Sequence, residues 1–165
     1  DGRFVIAGLF GPRLFRVGGL KDGWGLSSVR LGESDITDTP MDVKPADPAV
    51  ELVLVVTNDT GTIGGMLTDA RKRAVPNGRA VVFPDDERQW TARSRFLKAS
   101  LAGVDGSYSV GSLLPGKYLV CAVDWLDDGA WFDPDVLRRL RAFASPISVK
   151  GHDRQTIALT LGELR

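Results

Sequence analysis

The chain has 165 residues, enough for one large domain, or for one small domain and part of another. Lys and Arg total 21, as do Asp and Glu, and the resulting net charge of zero argues against a dedicated nucleic-acid binder. A hydrophobic content of 43% and a charged content of 25% exclude a mostly disordered chain. No apolar run approaches the ~20 residues that cross a bilayer, so we expect no membrane insertion by this segment.

The scarcity of cysteine and histidine limits the chemistry. The single cysteine, Cys121, cannot form an internal disulfide, and the single histidine, His152, cannot supply a histidine-based metal cluster. A Ser-His-Asp relay could use only His152, which we expect in an exposed turn between two strands. We therefore expect no enzyme, no catalytic residues and no cofactor.

The chain contains an internal repeat. Residues 1–17 (DGRFVIAGLFGPRLFRV) and 105–121 (DGSYSVGSLLPGKYLVC) share an Asp-Gly pair, an aromatic, an aliphatic, a leucine and a Gly/Pro pair in the same order. The offset predicts that residues 1–58 are the C-terminal half of a truncated β-sandwich repeat and residues 61–165 a complete domain. The chain opens on Asp with no leader segment, so we expect any signal peptide to lie outside this sequence.

Short segments with a period of two dominate the predicted secondary structure. In residues 1–58 we expect four strands, near residues 3–7, 13–17, 26–31 and 51–57. In the second part we expect strands at 62–68, 81–83, 96–102, 107–110, 117–123 and 155–161. Both alternating sets of side chains in 118–123 are apolar or small, which is typical of a strand covered on both faces. Gly64-Gly65 indicates a bulge or a close approach of two backbones.

One segment has the period of a helix. Asp133 is suited to cap its start, Pro134 to its first position, and apolar residues recur at helical spacing up to Pro146. We therefore predict a helix near residues 134–144, inserted between two late strands. The predicted fold class is all-β, with antiparallel Ig-like or transthyretin-like β-sandwich repeats and this one short helix.

Residues 104–118 (VDGSYSVGSLLPGKY) resemble the signature D-G-x-[FY]-x-[IVF]-x-x-L-x-P-G-x-Y of carboxypeptidase regulatory-like domains. The resemblance implies a seven-stranded transthyretin-like sandwich that is usually a non-catalytic module of a larger protein. Met66 or Leu67 stands where that family has its opening valine, and the first copy has Gly11-Pro12 for Pro-Gly. Independently of the family, Asp-Gly predicts a tight turn, and Leu113 is expected to fill the core at the end of a strand.

Two groups of residues are candidates for ligand binding. Trp90, Trp125 and Trp131 are candidates for stacking on sugars, with packing against the inserted helix as the alternative. Clustered carboxylates around Gly129 offer oxygen ligands for calcium, with turn and helix-cap roles as the alternative. The calcium candidates are Asp127, Asp128 and Asp133.

The leading hypothesis is a structural or interaction module of a larger exported or cell-surface repeat protein, which serves as a spacer, a scaffold or a site of strand complementation. The alternatives are a carbohydrate-binding module and an enzyme-accessory module. The expected partners are neighbouring repeats, copies of the same protein or a polysaccharide, and no nucleic acid. A secreted, periplasmic or cell-surface location is implied by the family resemblance alone.

Overall fold

The computed structural model describes residues 2–44 and 48–163. By contacts, the chain divides into two compact units. Unit 1 comprises Asp1–Leu20 and Leu26–Val56, and unit 2 comprises Lys21–Gly25 and Thr57–Arg165. In the part of the chain that the structure describes, no helix is long and apolar enough to cross a membrane.

Unit 1 is built from short strands. The five strands are β1 (Gly11–Arg13), β2 (Gly25–Leu31), β3 (Ser34–Asp35), β4 (Met41–Val43) and β5 (Leu52–Thr57). β1 pairs antiparallel with β4, and a second sheet has the strand order β3-β2-β5, in which β2 and β3 are antiparallel. The strands predicted at 26–31 and 51–57 are confirmed, whereas the strand predicted at 13–17 is wrong, because β1 ends at Arg13 and residues 14–17 have no regular secondary structure.

The strand predicted at residues 3–7 is wrong. This segment has the alternating apolar pattern of a strand, but no described strand pairs with it, and it has no regular secondary structure. An alternating pattern alone does not make a strand, because the backbone groups need a neighbouring edge for their hydrogen bonds. The sequence pattern therefore predicts a segment that is able to pair, but no described strand of this chain pairs with it.

The core of unit 1 is small. Leu26 and Val29 are its only buried apolar side chains among the described residues. Beside them, the buried Thr37 accepts a hydrogen bond at Oγ1 from the backbone N–H of Val29 at 2.8 Å, while Asp35 accepts one from the Thr37 N–H at 2.9 Å. A local hairpin is thus held by polar contacts rather than by a packed interior.

Unit 2 is a β-sandwich with one helix. One sheet has the order β11-β10-β7-β8, and in the other β6 lies between β9 and the pair β12 and β13. The elements are β6 (Gly61–Thr68), β7 (Arg79–Pro84), β8 (Lys98–Leu101), β9 (Ser107–Leu113), β10 (Gly116–Val123), α1 (Pro134–Arg141), β11 (Ser145–Val149), β12 (Arg154–Thr156) and β13 (Leu159–Thr160). All six strand regions predicted for unit 2 and the inserted helix are present, so the predicted fold class is confirmed.

The sheet that contains β10 is covered on both faces, as its sequence predicts. Tyr118, Val120 and Ala122 point into a core shared with the other sheet. The alternate residues, Leu119, Cys121 and Val123, pack in a second core under α1. Unit 2 therefore has three layers, helix on sheet on sheet, around two hydrophobic cores.

The last two strands, β12 and β13, depart from a purely antiparallel sandwich. β12 and β13 both run parallel to β6, and residues 157–158 interrupt what the sequence predicts as one strand at 155–161. The interruption lies at Gly65, where an added Cβ would be 2.0 Å from the Ile157 carbonyl oxygen. The close approach predicted at Gly64-Gly65 is therefore present, and it is the reason that residue 65 must be glycine.

The residues of the turn motif that carries the family resemblance form a turn, backbone hydrogen bonds and part of the core. Gly106 has a φ of +79°, and its carbonyl accepts a hydrogen bond from Leu67 N–H at 2.8 Å. Leu113 is buried at the end of β9, and the Tyr118 hydroxyl donates to the Leu114 carbonyl at 2.8 Å. These positions agree with the roles that the sequence predicts for Asp-Gly, Leu113 and Tyr118.

Candidate functional sites

Trp90 is part of the core beneath α1. Its side chain is 5% exposed, and its Nε1–H donates to the Pro84 carbonyl at 2.8 Å. The ring meets Phe83 edge-on, with centroids 5.6 Å apart, and the Arg141 guanidinium lies 5.9 Å from its centroid. With its polar atom satisfied and its faces packed, Trp90 does not offer a stacking face to a sugar.

Trp131 and Trp125 differ in exposure. Trp131 is partly buried against the helix-side core, and the Arg79 guanidinium lies over its ring at 4.9 Å. Trp125 is 74% exposed on the loop that follows β10. Of the three tryptophans predicted as stacking candidates, Trp125 alone is largely open to solvent, and the structure does not bring the three together on one face.

The calcium candidates have other partners. Asp133 caps α1 by accepting the Asp135 N–H at 2.8 Å, and Asp128 forms an ion pair with Arg79 at 2.8 Å. Asp127 is exposed, and its carbonyl accepts the Ala130 N–H. Among the described residues, no three His, Cys, Asp or Glu side chains are grouped as they would be to hold a metal ion. The turn and cap roles account for these carboxylates.

Burial shifts the pKa of several titratable side chains of unit 2, whereas the single histidine is exposed. Burial raises the pKa of the Cys121 thiol to about 12 and that of Tyr108 to about 12. Burial also lowers the pKa of Lys98, on the edge strand β8. His152 is exposed in a turn with a φ of +61°, and its Nε2 is 4.0 Å from Asp59 Oδ1. A thiol with so high a pKa is a poor nucleophile at neutral pH.

The sequence analysis missed a surface cleft of about 460 Å³ in unit 2. Both of its carboxylates are paired, since Asp86 forms an ion pair with Arg88 at 2.8 Å and Asp85 forms one with Arg141 of α1 at 2.8 Å. The first pair lowers the pKa of Asp86 and raises that of Arg88. Because three separate segments of the chain line the cleft, no local sequence motif predicts it. The lining residues are Asp85, Asp86, Arg88, Gln89, Phe96, Pro115, Gly116, Lys117 and Tyr118.

The most unusual surface feature is the exposure of large apolar side chains in unit 1. They lie in two segments of this unit, one near its start and one in and before β5. The sequence analysis placed part of the first segment, residues 3–7, in a strand. The exposed side chains are Phe4, Val5, Ile6, Phe10, Val50, Val53, Val55 and Val56. Exposed apolar surface of this kind is typical of an interaction site.

No family model and no curated protein matches the chain. Among solved structures it is similar to the TIE protein of Bacillus anthracis (15% identity, 67% of this chain and 19% of that one, TM-score 0.40). It is also similar to the major pilin subunit BcpA of Bacillus cereus (17%, 67% and 31%, 0.35) and to a candidate carbohydrate-binding protein of Pseudomonas aeruginosa (14%, 62% and 88%, 0.36). The matched region spans less than a third of the TIE and BcpA chains, and TM-scores this low carry no argument about function.

Proposed function

We propose that this chain is a non-catalytic structural and interaction module of a larger exported or cell-surface protein, in which unit 2 is a rigid spacer and unit 1 contacts neighbouring copies. The observation that carries the proposal is the exposed apolar surface of unit 1. Val5 is 94% exposed, and Phe4 and Ile6 are each 55% exposed. Surface of this kind is stabilised when it is removed from water, so it favours association.

The absence of a catalytic constellation in the described residues supports the non-catalytic part of the proposal. The polar side chains that the sequence singles out serve turns, helix caps and surface ion pairs, as Asp133 and Asp128 do. The one thiol, Cys121, is buried in the helix-side core. Among the residues that the structure describes, no three His, Cys, Asp or Glu side chains are grouped to hold a catalytic metal ion.

The finer assignment, a transthyretin-like domain of the carboxypeptidase regulatory-like class in tandem repeats, is part of the same proposal. It rests on the Asp-Gly, Leu, Pro-Gly and Tyr positions of residues 104–118 and on the similar motif in residues 1–17. The sandwich of unit 2, with β6 at the centre of one sheet and β10 at the centre of the other, supports it. The proposed extracellular location rests on this class alone.

The proposal predicts self-association that depends on unit 1. Sedimentation velocity of the full chain over a range of concentrations measures it directly. The double variant Val53→Lys/Val55→Lys introduces two charges into the apolar surface of unit 1 and should shift the chain to monomer. Its matched control, Leu101→Lys/Val104→Lys, alters two exposed apolar residues of unit 2 and should associate as the parent does. A parent that stays monomeric at all concentrations would contradict the proposed interaction role.

Carbohydrate binding is the second candidate, because Trp125 is 74% exposed and lies beside Asp124, Asp127 and Asp128. An exposed indole next to hydrogen-bonding carboxylates is a common arrangement for stacking on a sugar ring. Affinity electrophoresis through gels that contain a panel of polysaccharides tests it. Trp125→Ala should abolish any retardation, whereas Trp131→Ala should leave it unchanged. Parent protein that no polysaccharide retards would exclude this function for the panel used.

A further inference from the structure

Residues 3–7 (RFVIA) contain three exposed apolar side chains, those of Phe4, Val5 and Ile6. Residues 2–8 are all exposed, and none of them belongs to a strand or helix. The segment alternates Phe4 and Ile6 on one side with Val5 on the other, and its aromatic and β-branched residues favour extended backbone. It thus has the composition of a strand, but no described strand pairs with it.

β5 has a sheet edge to which a further strand can add. It lies at the end of the β3-β2-β5 sheet, and among the described residues no strand pairs with its second edge. Its sequence, LVLVVT, contains no charge, proline or glycine, and Val53 and Val55 are 50% and 40% exposed. A long apolar edge without a charged or proline residue is a site at which another strand adds.

We propose that residues 3–7 of one copy add as a strand to the free edge of β5 in a second copy. This inference rests on the proposed interaction role and names its partner and its site. Each copy offers one donor segment and one acceptor edge, so the contact is head-to-tail. Such a contact either closes into a ring or extends into a chain of copies.

The alternation of side chains is compatible with this pairing. Side chains on alternate positions of β5 differ in exposure, with Leu52 and Leu54 half-buried and Val53 and Val55 exposed. A strand added in the same sheet can place Phe4 and Ile6 on the Leu52 side, where they extend the half-buried face. Val5 then lies on the side of Val53 and Val55, and β-branched neighbours across strands stabilise a sheet.

Pairing of β5 with β5 of another copy is the competing arrangement. Antiparallel pairing centred on Val55 brings Glu51 of one copy opposite Asp59 of the other, and like charges directly opposite destabilise a sheet. Pairing centred on Leu54 avoids this repulsion. Both registers leave Phe4, Val5 and Ile6 exposed, whereas donation of residues 3–7 covers both apolar features at once.

Engineered cysteines test the pairing, since Cys121 is buried with a raised pKa and does not compete. A chain that carries Val5→Cys is mixed with one that carries Val53→Cys or Val55→Cys, and the mixture is oxidised mildly. The control partner carries Val104→Cys, because residue 104 is also highly exposed but lies in unit 2. We expect at least about tenfold more mixed disulfide with one of the β5 partners than with the control, because pairing raises the effective concentration of the thiols.

A second variant tests the donor without a cross-link. Ile6→Lys introduces a charge into the donor segment and should shift the oligomers to monomer in sedimentation, while Val104→Lys should not.

Three results would overturn the pairing: mixed disulfide no more abundant than in the control, Val55→Cys chains that cross-link mainly with one another, or association unchanged by Ile6→Lys. If the parent chain associates in sedimentation, these results leave the proposed interaction role standing. A parent chain that is monomeric throughout overturns both.

Discussion

The two units distribute their apolar side chains in opposite ways. In the described residues, every buried apolar side chain except Leu26 and Val29 lies in unit 2, and both hydrophobic cores belong to unit 2. Unit 1 instead exposes eight large apolar side chains along two short segments. Apolar side chains therefore form closed cores in unit 2 and lie mostly on the surface in unit 1.

The difference follows from the number of layers. In unit 2, each face of the sheet that contains β10 meets another layer, so side chains on both faces leave water. In unit 1, the sheet β3-β2-β5 and the pair β1 and β4 contain few strands, and short ribbons bury little surface of their own. Complete layering covers the apolar side chains of unit 2, whereas incomplete layering leaves those of unit 1 exposed.

Cutting the chain between residues 58 and 59 should have the largest effect. We expect residues 59–165 to fold as a monomer, because they hold both cores. Loss of the hydrogen bond from the Thr60 hydroxyl to the Gly23 carbonyl should cost only about 1 kcal/mol. Residues 1–58 should aggregate, because their apolar surface has no cover. Circular dichroism and sedimentation of each fragment are the measurements, and a soluble, cooperatively melting 1–58 fragment would contradict the account.

A charge in the sandwich core should unfold unit 2. Leu113 is 1% exposed at the end of β9, so Leu113→Asp buries an unpaired carboxylate and should cost about 4 kcal/mol or more. Thermal unfolding followed by near-ultraviolet circular dichroism measures it. Val104→Asp, at a residue that is 91% exposed, is the matched control and should melt as the parent does. A Leu113→Asp chain that also melts normally would show that β9 is misplaced.

A smaller loss is expected where the last strands approach β6. A side chain at Gly65 would meet the Ile157 backbone at 2.0 Å, so Gly65→Val must push β12 and β13 away, at a cost of about 1–3 kcal/mol. Gly111→Ala on β9 is the control, because its Cβ would meet only the Thr62 hydroxyl at 3.6 Å. Urea denaturation should separate the two variants, and equal midpoints would refute the close approach.

The smallest effect concerns the cap of α1. Asp133→Ala removes the carboxylate that accepts the Asp135 N–H, and N-cap losses of this type cost about 1 kcal/mol. Asp127→Ala, a nearby exposed carboxylate with no such role, should change stability by less. Calorimetric melting of the two variants compares the cap with the neighbouring loop. Equal stabilities, or a larger loss for Asp127→Ala, would argue against the capping role.

The fold of unit 2 was predictable because its local signals agree with its packing. The two apolar sets of 118–123, the Asp-Gly turn and the Asp133-Pro134 helix start each describe a feature that the structure contains. The failure at residues 3–7 has a physical cause, since the pattern favours extended backbone but a strand also requires hydrogen bonds to a neighbour, and no described strand pairs with this segment. Parallel addition of β12 and β13 to β6 depends on contacts between residues about 90 positions apart, which no local pattern encodes.

The candidate sites were less predictable from sequence than the fold. Trp90, Trp125 and Trp131 have similar charged neighbours in the sequence, yet Trp90 is buried, Trp131 partly buried and Trp125 exposed. Their exposure depends on which layer covers the loop, and that is decided by tertiary packing. The cleft beside Asp86 and Tyr118 was missed for the same reason, because distant segments form it.

Hydrogen exchange of the full chain at low and high protein concentration tests the central claim most directly, that unit 2 is self-sufficient and unit 1 is completed by another copy. We expect slow exchange in β7 and β10 at both concentrations, because their amides lie in a covered sheet. Exchange in peptides that contain residues 3–7 and 52–57 should slow at the high concentration. Exchange in these peptides that is independent of concentration, or protection that rises instead in unit 2, would contradict the account.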